Sequence, residues 1–253
     1  MRILEGLGYA VGLAMAPLVA VGSLVRQARF LHPDGTVYRA EVTVAAAPDD
    51  AAAARLAAAL AGPALVRLSS AWWKGGKEWL DVLGLAMRLR RDAHPSSEPG
   101  PEDQDLLFAT IRWPVTTPLA PLTTDQHSFL HNNYHGVSPF QVPELGRVKL
   151  RLRSPHLVSG GERREVALAK AVAAGTAVFI LQARRLCPGA EFQDLAAVRL
   201  VAPIDSAELD QEALRFSPFR SGRGIEPVGL VHSIRHAIYA ASQAARPKHS
   251  QSI

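Results

Sequence analysis

The sequence predicts an α+β chain built on a closed antiparallel β-barrel, with flanking helices and a helix at its C-terminal end. Three observations predict it. About seven short stretches of strand character follow one another with few helices between them, and strands joined without crossover helices pair antiparallel. That many antiparallel strands remove their exposed edges by closing on themselves. A charge-free stretch precedes the strands, and one helical pattern with an apolar face follows them.

Size and composition set the bounds. The 253 residues suit one large domain or two small ones, and 48% apolar against 20% charged residues supply a core without excess. The net charge is +5, yet the basic residues are mostly arginines dispersed along the chain. No lysine-rich block or aromatic-basic ladder points to nucleic acid. Dispersed arginines also serve to bind carboxylates or phosphates inside a pocket. A single cysteine, Cys187, excludes an internal disulfide framework and fits a reducing, cytoplasmic setting. No CxxC or HExxH spacing appears, which argues against zinc.

The elements follow in order. Residues 1–28 are read as an apolar N-terminal helix. Within it, residues 6–25 carry no charge and are long enough to cross a bilayer, though four glycines and Pro17 interrupt them. This stretch either contacts a membrane surface or packs on the domain or a partner. Arg2 is opposed by Glu5 and no clean cleavage site follows, which weakens a secretory signal. Pro33-Asp34-Gly35 is turn chemistry, and it holds His32 at the mouth of a strand over 36–44. There His32 either caps the turn or faces a cavity as an acid/base. Residues 49–60 are alanine-rich and helical, ended by Gly62-Pro63. Strands are expected at 64–70, 81–89 and 105–113, with a solvent loop over 93–103. Residues 114–140 lack periodicity and form a long irregular segment, which in a compact domain is functional or wraps the fold. A strand with one basic face follows at 147–153, then a helix over 162–174 and strands at 176–183 and 195–202. An irregular approach over 216–227 leads to the last helix.

That helix covers 229–246. Val231, Ile234, Ile238, Ala241 and Ala245 give it an apolar face, and Arg235, Tyr239 and Arg246 lie four and seven apart on another. A cation four residues away favours phenolate over phenol. Such a phenolate is a hard oxygen ligand suited to ferric iron, and tyrosine serves as an axial haem ligand in catalase. Taken alone, the same helix reads as a surface helix with two solvated arginines and a half-buried tyrosine.

Five motifs in order change that reading. Arg29-x-x-His32-x-x-Gly35 resembles the distal motif of the catalase superfamily. Val66-Arg67-Leu68-Ser69 resembles its Val-Arg-Phe-Ser strand, and Asp81-Val-Leu-Gly84-Leu-Ala86-Met-Arg88-Leu89 its Asp-x-x-Gly-x-Ala-x-Lys-Phe strand. Arg235-x-x-x-Tyr239 resembles its proximal motif, and Arg246 falls at the spacing of a further haem-pocket arginine. The likeness is to short, barrel-only catalase-related members. It implies a single catalase-like haem-binding barrel domain over 29–246, followed by a disordered tail, 247–253.

The resemblance also implies roles. Tyr239 would bind the haem iron as phenolate, and Arg235 would keep it ionised. Arg29, Arg67 and Arg246 would pair with the propionates of haem b or shape the pocket edge. His32 would move a proton between the two oxygens of a peroxide, and Ser69 would orient its ring. Haem, a hydrogen peroxide or organic hydroperoxide substrate, and further copies of the chain are the expected partners. One position departs from the family. Its Asp-Leu-Val-Gly-Asn-Asn strand becomes Asp105-Leu-Leu-Phe108-Ala109-Thr110, so Ala109 replaces an amide donor that completes the distal pocket. Thr110 substitutes only if the register shifts by one. A peroxidase-like activity, or a non-catalytic haem- or lipid-binding barrel, therefore stands beside peroxide dismutation. His127, His131 and His135 read as solvated or turn histidines rather than a metal stripe. Trp72, Trp73 and Trp79 read as packing beneath a loop or flooring a channel.

Overall fold

A computed structural model describes residues 34–45, 50–73, 75–113, 117, 119–143, 145–155 and 161–229. The expected N-terminal helix, the last helix and the tail lie outside the described residues.

Among the described residues ten strands form one antiparallel sheet: β1 (Asp34–Val44), β2 (Gly62–Ser70), β3 (Leu83–Leu89), β4 (Gln104–Ala109), β5 (Asn133–Gly136), β6 (Phe140–Val142), β7 (Gly146–Arg153), β8 (Val178–Arg185), β9 (Gln193–Pro203) and β10 (Glu226–Pro227). The sheet runs β7-β5-β4-β3-β2-β1-β9-β8, and a β8–β7 pairing closes these eight into a barrel. Short β6 and β10 extend it beside β7. Closure follows from the alternation of each strand. Val148, Leu150 and Leu152 of β7 are buried while Arg147, Lys149, Arg151 and Arg153 between them are half-buried. Every barrel strand contributes apolar side chains to one continuous cluster, which fills the lumen.

Helices close the ends. Helix α1 (Ala51–Leu60) joins β1 to β2; Asp50 caps it by accepting from the Ala52 N–H at 2.8 Å, and Ala53, Leu56, Ala57 and Leu60 enter the lumen cluster. Helix α2 (Ala120–Thr123) is a single turn. Helix α3 (Arg164–Ala173) joins β7 to β8 at the opposite end and stops before Gly175, whose φ of +69° suits glycine. Residues 204–216 run down the outside of β1 and β2, with Ile204, Leu209, Leu214 and Phe216 on Val37 and Leu65.

Three expectations differ from this architecture. The segment 114–140 contains β5 and the first residue of β6, strands too short for periodicity to reveal; Tyr134, fully buried against Phe179, anchors β5. The fourth strand ends at Ala109 rather than at 113. The loop over 93–103 is pinned rather than merely solvated. The His94 and Ser96 carbonyls accept from Arg90, the Ser97 carbonyl accepts from Arg88, and Asp103 is buried beside Arg90. Arg88 itself is fully buried and donates to both oxygens of Asp105, at 2.8 and 3.1 Å. Asp105 also takes Arg220 and the Ser217 N–H, which ties the 204–229 segment to the wall.

Candidate functional site

The site follows from strand register. Gly35 pairs with Ser69, Ser69 with Gly84, Gly84 with Ala109, and Ala109 with His135. Residues paired across a sheet share a face. Their neighbours Leu68, Leu83, Leu85 and Phe108 fill the lumen, so this row stands on the outer wall. The next row is Val37, Arg67, Ala86 and Leu107. Residues 204–216 cover that lower row, with Ala86 and Leu107 packed against them. The upper row across β1–β4 carries only small residues, two glycines, a serine and an alanine, and its Ala109 end is covered by Ala120, Ile111 and Val137.

Gly35 is required as glycine. A Cβ there would lie 2.5 Å from the Leu68 carbonyl oxygen, 2.7 Å from Ser69 Cβ and 2.9 Å from the Arg67 guanidinium carbon. Arg67 is therefore folded upward from the second row onto Gly35, and only 6% of it is exposed. Ser69 lies beside it, also buried, with Oγ a long 3.5 Å from the Gly84 carbonyl. The structure thus brings Arg67 and Ser69 together at Gly35.

Thr110 lies one residue beyond the row, and Ala109 keeps the register with Gly84. The Leu83 N–H donates to Thr110 Oγ1 at 3.1 Å. The Thr124 hydroxyl donates to the Ala120 carbonyl at 2.9 Å, so the 2.7 Å contact between the two threonines has Thr110 as donor. The hydroxyl of Thr110 is thereby committed to its own neighbourhood. The other residues singled out from the sequence, Arg29, His32, Arg235, Tyr239 and Arg246, lie outside the described residues.

A cavity of about 220 Å³ reaches the row from the α3 end of the barrel. Thr36, Tyr38, Ser69, Ser70, Phe129 and Arg163 are among its lining residues. Burial pushes the Tyr38 hydroxyl above the usual phenol range. Arg164, fully buried behind the cavity, donates to Ser70 Oγ and to the Lys77 and Gln126 carbonyls. Sequence reasoning missed Arg164, because a charged residue opening a helix ordinarily reads as solvated.

His135 departs from the expectation of a solvated or turn histidine: it is half-buried on β5. Of the three spaced histidines, His127 and His131 are exposed and bonded to Glu78 and Asp125, each at 2.7 Å. His135 instead lies on β5 beside Ala109 and opposite Arg151. Burial, together with Arg151, Arg112 and Lys149, pushes its imidazole down to about 4, so it is neutral at physiological pH. The alternation of buried Tyr134 between Asn133 and His135 was the available signal. Among the described residues no cluster of three or more histidine, cysteine, aspartate or glutamate side chains could hold a metal ion. Nor, among them, is any helix long and apolar enough to cross a membrane.

No protein-family model matches the sequence, and no curated protein matches it. Among solved structures, a fungal catalase superposes on 88% of this chain with a TM-score of 0.61 and 14% identity. The match spans 61% of the catalase chain. This likeness shows the fold: a closed, eight-stranded, antiparallel barrel of catalase type.

Proposed function

We propose that the chain is a catalase-related haem protein acting on hydrogen peroxide or organic hydroperoxides. The observation that carries the reading is the row of small residues Gly35, Ser69, Gly84 and Ala109 on the outer wall, with Arg67 folded against it. A planar macrocycle needs a surface without protruding side chains, and its carboxylates need a guanidinium at the edge. Gly35, Ser69 and Gly84 offer small side chains for such a surface and Arg67 a guanidinium beside it, while Ala109 packs against Ala120 and Ile111. The catalase-type barrel and the order of the sequence motifs support the same reading.

Haem, when bound, would supply an iron at which a peroxide O–O bond is cleaved. The chain's own residues do the rest. Tyr239 would hold the group through its phenolate, and the neighbouring Arg235 cation would keep that oxygen ionised. Arg67, with Arg29 and Arg246, would pair with the propionates. His32, three residues before Gly35, would accept a proton from peroxide at its ring nitrogen and release it to the departing oxygen. Ser69 Oγ would hold the ring in place.

A second reading has its own observation. Ala109 offers only a methyl group where an amide donor would assist, and Thr110 directs its proton to Thr124. A non-catalytic haem carrier on the same barrel is therefore the alternative. The test is oxygen release and hydroperoxide loss measured on haem-reconstituted protein, beside His32→Ala. Turnover abolished by that change supports the enzyme; haem uptake without turnover supports the carrier; neither uptake nor turnover excludes both.

A further inference from the structure

The outer face of β5, β7 and β8 gathers positive charge. Register pairs His135 with Arg151, Arg151 with Gln182, and Lys149 with Arg184. Paired residues share a face. Leu150 and Ala183, which alternate with them, belong to the lumen cluster, so Lys149, Arg151 and Arg184 stand on the outside of the barrel. Arg112, on the segment that follows β4, joins them, and its charge acts on His135, Lys149 and Arg151 alike. Two aromatic rings hold the cations in place. Lys149 lies 3.5 Å from the centre of the Trp113 ring, and Arg151 and Arg184 lie 3.9 and 5.0 Å from that of Phe192. The Arg151 Nε also donates to Gln182 Oε1 at 2.6 Å.

Little negative charge opposes this cluster. Among the described residues none of Arg112, Lys149, Arg151 and Arg184 forms an ion pair. Asp194 acts on Arg151, but it is already held by Arg153 at 3.4 Å and by the Gln182 amide. Asp50 is taken by Arg185, and Glu191 lines a separate hollow with Ala53, Leu145 and Cys187. The cations therefore press on one another. Burial, then Arg184 and Arg112, pushes the Lys149 ammonium below the usual lysine range. Burial, then Arg153, Arg112 and Arg184, does the same to Arg151 against the pull of Asp194. Partly buried cations without carboxylates are unfavourable, and a bound anion relieves them.

We propose that this face is a binding site for a compact polyphosphate group, two or three linked phosphoryl units long. Arg112, Lys149, Arg151 and Arg184 hold it. Guanidinium forks match phosphate oxygens two at a time, and a lysine adds a point charge. A single carboxylate would leave most of the cluster unopposed. Neighbouring strands lie about 4.8 Å apart, so the cluster from β5 to β8 spans about 10 Å, the reach of a short phosphate chain rather than of a polymer. A nucleic-acid strand fits less well, because the cations already lie on the Trp113 and Phe192 rings that bases would need for stacking. The site does not depend on haem.

The experiment is calorimetric titration of the full chain with inorganic tripolyphosphate, beside orthophosphate, at low and at high salt. The expected result is one-to-one binding that weakens with salt, with orthophosphate weaker by about tenfold or more. Lys149→Gln/Arg184→Gln removes two charged contacts and loses about tenfold or more in affinity. Arg91→Gln/Arg199→Gln removes the same charge from pairs with Glu102 and Glu41 elsewhere on the surface, and keeps the affinity. Arg112→Gln lies outside the strands, so it weakens binding on its own even where the first double variant melts early. Adenosine triphosphate identifies the source: equal affinity supports a free polyphosphate, and tighter binding supports the tail of a nucleotide. No binding of tripolyphosphate, equal binding of orthophosphate, or equal loss in the two double variants overturns the proposal. A single-stranded oligonucleotide bound more tightly than tripolyphosphate through the same residues also overturns it and assigns the face to nucleic acid.

Discussion

Replacing Gly35 by alanine tests the closest approach in the site. The added Cβ would meet the Leu68 carbonyl oxygen at 2.5 Å and Ser69 Cβ at 2.7 Å. Neither can yield without disturbing the pairing of Gly35 with Ser69 and of Thr36 with Leu68. Only the third neighbour, the Arg67 guanidinium at 2.9 Å, can swing aside. Overpacking of this kind costs about 1–3 kcal/mol, and the smaller unfolded-state entropy of alanine returns about 0.4–1 kcal/mol. The net loss is therefore about 0–2.5 kcal/mol, with the upper half favoured because a backbone oxygen is the nearest contact. For a chain of this size each kcal/mol moves Tm by about 2–4 °C. Gly161→Ala is the matched control, because nothing lies within 4 Å of its Cβ. Scanning calorimetry should find Gly35→Ala several degrees below the parent and Gly161→Ala at or above it. Equal melting of the two variants would refute the close approach of β1 to β2, and with it the placement of Arg67 at the edge of the row.

Other consequences are equally open to measurement. Asp105→Ala leaves the fully buried Arg88 without its carboxylate, and urea denaturation should show a loss of about 3–5 kcal/mol. The neutral His135 makes stability depend on pH. Its folded pKa of about 4 lies below the ordinary imidazole value of 6.5, so the unfolded chain binds the extra proton between them. That contribution is complete above about pH 6.5 and is lost as pH falls towards 4; Tm profiles should flatten over this window in His135→Gln. Ala109→Asn restores an amide donor on the row, across Gly84 from Ser69, and in haem-loaded protein it should raise peroxide turnover, towards the factor of about 100 that one oriented donor commonly carries.

The barrel was legible in the sequence because its longer strands alternate cleanly. Val148, Leu150 and Leu152 set against four basic residues fix the inside and outside of β7 without any structure. Strands β5 and β6 were not legible, because four and three residues cannot show a period and a single buried Tyr134 decides the first. Half of the site was legible for another reason. Gly35, Arg67 and Ser69 were chosen by their place in motifs, and register then set them side by side. His135 escaped because its neighbours His127 and His131 carry turn chemistry, and only the pairing of Ala109 with His135 separates it from them. The commitment of Thr110 to Thr124 was beyond any sequence argument, since it joins the residues just past β4 and α2 through a tertiary contact.

The central claim is that a haem lies on the Gly35–Ala109 row with Tyr239 as its iron ligand. It is tested most directly by the absorption spectrum of the full chain after haem loading, recorded beside Tyr239→Phe. The account predicts a Soret band of ferric-phenolate character in the parent, replaced by a different ligation spectrum or by free haem in the variant. A parent without a bound-haem Soret band, or a spectrum unchanged by Tyr239→Phe, would contradict it.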